Sequence, residues 1–152
     1  MQVNKTGIVR YLEGGDKNFV IPVYQRDYAW TKSQCLKLWQ DILTIGEKES
    51  YFIGTIVFIR QGNNQVIIDG QQRLTTCSLL LLAMYNSPRI DDKTKQQIAD
   101  LIWDKYADNE ACKIKLKPNK VDRDSYESLL QNQKLKPKNN IANNYNSFVS
   151  LL

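Results

Sequence analysis

Histidine is missing from all 152 residues. Without it the chain cannot assemble a Ser-His-Asp or Cys-His nucleophile system, an HExxH zinc site or a histidine general base. Cysteine is scarce: Cys35, Cys77 and Cys112 are odd in number, far apart and without a CxxC pair. That pattern reads as reduced thiols in a cytoplasmic protein rather than as a disulfide framework. The longest apolar run covers residues 79–84, far short of a membrane span, and the start has no apolar signal-peptide stretch. No membrane partner is therefore expected. The phosphate-binding patterns GxxxxGK[ST] and GxGxxG are both absent, so neither a P-loop nor a Rossmann dinucleotide site is expected. Internal repeats and long low-complexity segments are missing as well.

What remains is chemistry from carboxylates, Arg, Lys, Gln, Tyr, hydroxyls and backbone groups. Hydrophobic residues make up 42% and charged residues 24%, ordinary usage for a globular chain that buries its own core. The formal net charge is +5 and the sequence pI about 9.1. This permits a nucleic-acid partner without requiring one.

Residues 6–12 read as a short helix ended by Gly14-Gly15. Residues 19–23 form an apolar run with Pro22 in it, a strand at an edge or one ending in a bend. Thr31, with Gln34 three residues on, begins a helix through a capping box, and Cys35, Leu38, Trp39, Ile42 and Ile45 mark its inner face. Residues 51–60 and 65–69 read as strands around the turn Gln61-Gly62-Asn63-Asn64. After Asp69-Gly70 the chain is helical over 71–85, apolar on almost every side from Leu79 on, so a buried central helix is expected. A further helix is capped by Asp91 or Asp92, with Ile98, Leu101, Ile102 and Tyr106 inward. The strict alternation of Lys113-Ile114-Lys115-Leu116-Lys117 predicts a strand with one lysine face. Residues 122–131 read as a helix, residues 134–140 as a basic loop. Ile141, Tyr145, Phe148 and Leu152 begin an amphipathic helix without a C-cap, as expected for the front part of a longer polypeptide.

Three constellations could carry chemistry. In Asp69-Gly70-Gln71-Gln72-Arg73 a strand ends, a glycine turns and a helix begins. The unpaired N–H groups of that first turn favour an anion, Gly70 allows close approach, and Arg73 offers a planar fork for phosphate oxygens. Asp69 could hold a divalent cation or orient water. Equally, Asp69 could be only an N-cap, the glutamines exposed first-turn residues, and Arg73 a partner of Asp27 or Asp41. The segment Tyr24-Gln25-Arg26-Asp27-Tyr28-Ala29-Trp30 adds a second guanidinium, an amide and rings able to stack on a base; Tyr28 and Trp30 could instead be a packing staple. Lys113, Lys115, Lys117 and Lys120, with Lys134, Lys136 and Lys138 later, could follow a DNA backbone or be a solvated face. Asp122, Arg123 and Asp124 read as helix-start charges.

The run from Ile21-Pro22 to Trp30 resembles the IPxYQRxYxW signature of the N-terminal domains of GmrSD-type, modification-dependent (type IV) restriction enzymes. The run Ile68-Asp69-Gly70-Gln71-Gln72-Arg73-Leu74-Thr75-Thr76 resembles their DGQQR motif, and Tyr51-Phe52-Ile53-Gly54-Thr55-Ile56 their YFxGxI strand. Leu116-Lys117-Pro118 with Asp122, and Asn143-Asn144-Tyr145, are similar to weaker features. The chain is identified as a member of this family from about residue 8 to its end. The resemblance implies an α+β fold similar to that of ParB and sulfiredoxin, with a small mixed sheet, a buried helix after the DGQQR turn and a following helical region. Residues 1–88 would be the nucleotide-binding core and residues 89–152 a helical and basic-strand extension, the start of a larger helical region.

The same resemblance implies a nucleoside triphosphate as substrate or effector, with Mg²⁺, in a phage-defence system acting on modified DNA. Asp69, Gln72 and Arg73 would be catalytic, with Asp69 also the metal ligand. Gln25, Arg26, Tyr28, Gly70, Gln71, Arg73, Thr75 and Thr76 would bind the nucleotide, and Lys113, Lys115 and Lys117 DNA. The family's HNH-type nuclease domain needs histidine, so it would be absent, or lie on missing residues or on another subunit. The activity expected of this chain is that of an NTPase. Two other readings stay open: a DNA-recognition module without turnover, and a partner-docking fragment inert alone. The sequence leaves a homo-oligomer open too.

Overall fold

The Gly62-Asn63 turn folds β2 (Val57–Gln61) back on β3 (Asn64–Asp69) as an antiparallel hairpin. In the computed structural model, which describes residues 1–47, 49–108, 113–133 and 139–152, that hairpin is one side of a four-stranded mixed sheet. β1 (Asn18–Val20) lies parallel to β3, with Phe19 opposite Gln65, and β4 (Leu116–Lys117) lies parallel to β1 on its other side. The order is β2-β3-β1-β4. β1 is thus an interior strand, not an edge. It stops before Pro22, whose missing N–H could not serve a ladder.

Six helices complete the described chain: α1 (Ile8–Leu12), α2 (Lys32–Thr44), α3 (Gln71–Asn86), α4 (Asp92–Ile102), α5 (Lys120–Leu130) and α6 (Asn140–Leu151). The fold is α+β, as the sequence implies. α3 packs against both α4 and α6, and α6 also against α2 and α5. Leu74, Leu79, Leu82 and Ala83 of α3 are almost fully enclosed, as the apolar run predicts. They share one hydrophobic cluster with Phe19, Ile67, Leu116, Tyr126, Ile141 and Phe148. Among the described residues no helix is long and apolar enough to cross a membrane. Cys35 is buried and Cys77 half-buried, both as free thiols; Cys112 lies outside the described residues.

Caps fall where side-chain chemistry places them. Thr31 and Gln34 form a capping box, the Thr31 N–H donating to Gln34 Oε1 at 2.7 Å. Asp91, not Asp92, caps α4 by accepting the Thr94 N–H at 2.9 Å.

Four expectations need correction. Residues 51–56 form no strand. The Tyr51 hydroxyl is tied to Asp41 of α2 at 2.6 Å, and Gly54, at φ +122°, turns the chain away from the ladder. The inner face of α2 is narrower than its periodicity suggests, because Ile42 is exposed. Tyr106 lies beyond the end of α4 and is 73% exposed. The lysine face over 113–117 does not form either. A bend at Lys115 breaks the alternation and leaves a two-residue strand. Lys115 is then only 2% exposed, with Nζ donating to the carbonyls of Leu12 (3.0 Å) and Asp100 (2.6 Å). Lys117 reaches the Ile114 carbonyl at 3.0 Å. Lys134, Lys136 and Lys138 lie outside the described residues.

Candidate functional site

The turn between β3 and α3 and the segment after β1 meet along one cleft of about 330 Å³. It is lined by Arg26, Trp30, Asp69, Gly70, Gln71, Gln72 and Arg73. Two motifs 40-odd residues apart in sequence are thereby one site, and amides stitch them together. Gln25 Nε2 donates to the Ile68 carbonyl at 2.9 Å, and Gln71 Nε2 donates to Gln25 Oε1 at 3.1 Å. Gln72 Oε1 accepts the Ala29 N–H at 2.8 Å while its Nε2 donates to the Asp27 carbonyl at 3.2 Å. Both glutamines of the first helical turn are buried, not exposed. Gln72 lines the cleft, but its amide is committed at both ends to the backbone of the neighbouring segment.

Gly70 sits at φ +90° as the N-cap of α3, and no side chain caps the helix. A Cβ there would lie 2.7 Å from the Thr55 carbonyl oxygen and 3.1 Å from Ile56 Cα. Glycine is required by that backbone approach as well as by its left-handed conformation. Because the first intrahelical bond runs from the Leu74 N–H to the Gly70 carbonyl at 3.0 Å, the N–H groups ahead of it have no helical acceptor. The positive end of the helix therefore opens on the cleft.

The two guanidinium groups are placed differently. Arg73 is half-buried, its side chain laid against Gly54 and Nη1 3.5 Å from the Thr55 carbonyl. It pairs with neither Asp27 nor Asp41. Asp41 is taken by Lys37 and Tyr51, which hold its carboxyl below the usual range, Tyr51 most strongly. Asp27 accepts from Asn119. Arg26 is exposed and, among the described residues, its side chain has no hydrogen bond or ion pair. Asp69 is exposed at the end of β3 and does not cap α3. Among the described residues no group of three or more Cys, Asp or Glu side chains could hold a metal ion by themselves.

Tyr28, Thr75 and Thr76 do not line the cleft. Tyr28 is 6% exposed and sits in a directed hydrogen-bond chain. Asn144 Nδ2 donates to its hydroxyl at 2.9 Å, the hydroxyl reaches Thr76 Oγ1 at 2.8 Å, and Thr76 Oγ1 donates to the Gln72 carbonyl at 2.7 Å. Burial pushes the Tyr28 hydroxyl well above its ordinary pKa. Thr75 is buried as well. Tyr28 and Thr76 hold α3 and the aromatic segment together behind the site, and none of the three is open to a ligand.

A family model for the N-terminal domain of GmrSD restriction endonucleases matches residues 8–151. The chain belongs to this family. Among curated proteins, none matches it. The GmrSD match covers both halves of the cleft and the helices behind it, and it supports a role in a restriction system.

This GmrSD domain also uses residues outside the two cleft motifs, of which Asp122 and Asn144 belong to the weaker family features and Asn119 to none. Asn119 and Asp122, at the start of α5, bond to the backbone on both sides of Arg26. Asn144 holds the Trp30 carbonyl at 2.7 Å besides the Tyr28 hydroxyl. A signal for two of them existed. Asp122 precedes Tyr126 by four residues and Leu129 by seven, and Asn144 follows Ile141 by three, so helical periodicity puts each on an inner face. An enclosed polar side chain requires a partner.

Proposed function

We propose that this domain binds a nucleoside triphosphate in the cleft at the start of α3 and hydrolyses it, gating attack on modified DNA by a nuclease domain of the HNH type. The observation that carries the reading is the convergence of an uncapped helix N-terminus, Arg26 and Arg73 on one cleft of ligand size. Backbone N–H groups and two planar cations match the oxygens of a polyphosphate. Arg73, backed by Gly54, is preorganised; Arg26 is free to close on the ligand. During transfer of a phosphoryl group both would neutralise charge that develops on its oxygens.

Asp69 is the carboxylate of the cleft lining, and a single hard oxygen donor suits Mg²⁺, which keeps several waters and takes other ligands from phosphate. Bound there, the metal would offset phosphate charge. Asp69 would hold it or orient the attacking water. Gln72 acts by fixing the two motifs against each other. Because the chain has no histidine, HNH chemistry belongs to a different segment or subunit.

Titration calorimetry with ATP, GTP, CTP and UTP, each with Mg²⁺, tests the reading on wild type and Arg73→Ala. At least one nucleotide should bind wild type, and roughly tenfold or more weaker in the variant, as for loss of a charge-assisted bidentate contact. Absence of binding to all four, or equal binding by both proteins, overturns the assignment. Binding of modified duplex DNA in place of nucleotide would make the cleft a DNA site.

A further inference from the structure

Among the described residues the Arg26 side chain has no partner, and it stands on a tightly held backbone. On one side Asn119 Nδ2 donates to the Gln25 carbonyl at 3.3 Å and to Asp27 Oδ1 at 3.0 Å. Beside it Asp122 Oδ2 accepts the Tyr28 N–H at 2.7 Å. On the other side Gln72 takes the Asp27 carbonyl and the Ala29 N–H, and Gln25 is bonded to Ile68. Among the described residues, hydrogen bonds fasten Gln25, Asp27, Tyr28 and Ala29 and leave the Arg26 side chain unheld.

Helix capping alone does not require this arrangement. Asn119 caps α5 through Oδ1, which accepts the Asp122 N–H at 3.2 Å. A serine would cap as well. The Nδ2 group is an addition, directed at the two residues flanking Arg26. Enclosing the Asp122 carboxylate near Asp27 carries a desolvation cost that an apolar residue would avoid. Both features serve the loop. A guanidinium on a fixed backbone loses less conformational freedom on meeting phosphate than one on a loose loop, so the grip raises affinity without touching the ligand.

We infer that Asn119, supported by Asp122, is a positioning residue for phosphate binding: the first turn of α5 fixes the backbone on both sides of Arg26 so that its guanidinium faces the cleft. The inference rests on the nucleotide reading of that cleft. It also ties the site to α5, so a movement of that helix would be felt at Arg26.

The test uses Asn119→Ser, which keeps a capping oxygen and removes the amide that reaches Gln25 and Asp27. Binding of the four Mg²⁺-nucleotides is measured by calorimetry for wild type, Asn119→Ser, Arg26→Ala and the double variant, and for Asn119→Ser in an Arg73→Lys background. Asn119→Ser should weaken binding about five- to tenfold, change it less than about twofold once Arg26 is alanine, and keep its full effect beside Arg73→Lys. Amide hydrogen exchange at Arg26 to Tyr28 should rise while the core of α3 stays protected. Unchanged affinity, or a loss that adds fully to that of Arg26→Ala, overturns the positioning role and leaves the nucleotide site standing. A wild-type protein that binds none of the four removes the nucleotide site, and the inference with it.

Discussion

The side chain of Arg73 occupies the space that a Cβ at Gly54 would fill: such an atom would lie 2.7 Å from Cζ and 2.8 Å from Cδ. Thr55 extends the seat with its carbonyl, and Tyr51 anchors the same segment to α2 through Asp41. A stretch that reads as a strand is therefore a support for one arginine of the cleft. This relationship joins a glycine outside the cleft to a cation within it.

Gly54→Ala should expel Arg73 from the cleft at moderate cost in stability. The side chain is flexible and swings aside, and the left-handed backbone at φ +122° adds about 1–3 kcal/mol of strain. Nucleotide affinity should fall as far as in Arg73→Ala. Gly70→Ala should be worse for folding by a further ~1–3 kcal/mol, because its Cβ would meet the backbone of Thr55 and Ile56, which cannot rotate away. Urea unfolding of both variants, beside calorimetry of Gly54→Ala, checks the pair. Equal stabilities, or full nucleotide affinity in Gly54→Ala, would contradict it.

Gln72→Leu should lose stability before anything else. The substitution takes from the Ala29 N–H and the Asp27 carbonyl, both in part-buried bonds, the side chain that joins them, at about 0.5–1.5 kcal/mol for each hydrogen bond lost. A group that acted only on the reacting phosphate would leave the unfolding midpoint where it was. Chemical denaturation distinguishes the two, and an unchanged midpoint would return Gln72 to the groups free to act on a ligand.

Lys115→Met separates a brace from a DNA contact. The buried amine ties the Leu12 and Asp100 carbonyls, and burial, the largest cause, lowers its pKa. Methionine keeps the stem but offers those carbonyls no donor, so stability should fall by roughly 1–3 kcal/mol. Affinity for duplex DNA should stay within about twofold and its salt dependence should be unaltered, whereas loss of a phosphate contact reduces the slope by about one unit. Filter binding across a salt series, run beside unfolding, decides between the roles.

The sequence discloses elements whose signals are local. The hairpin at Gly62-Asn63, the capping box at Thr31 and the buried helix after Gly70 are each written in one short stretch, and the α+β class follows from the family likeness. It also brings the Arg26 and Asp69 to Arg73 motifs to notice, through residue type and family likeness. What escapes it depends on long-range pairing. Tyr28 looks like a stacking ring until Asn144, 116 residues away, and Thr76 are seen to enclose its hydroxyl. Lys115 belongs to an alternating pattern that a single bend overrides. Asp122 reads as a helix-start charge because its partner, the Tyr28 N–H, lies 94 residues away. Where a polar side chain serves a distant backbone group, neither periodicity nor propensity reports it.

Asp122 gives stability a measurable pH dependence. Its carboxyl is raised above the ordinary 3.8, first by burial and further by the charge of Asp27, against the lowering effect of the Tyr28 N–H. The folded state therefore holds this proton more tightly than the unfolded one. Its contribution to stability is complete below pH 3.8 and is lost as pH rises through the raised folded value. An asparagine side chain is uncharged at any pH, and its amide oxygen can still accept the Tyr28 N–H. In Asp122→Asn this loss should disappear, so the stability difference, variant minus wild type, should grow from acid toward neutral pH and then level off. Urea midpoints of both proteins between about pH 3.5 and 7 supply the curve. Parallel profiles would mean that the carboxylate sits in the fold without a desolvation cost.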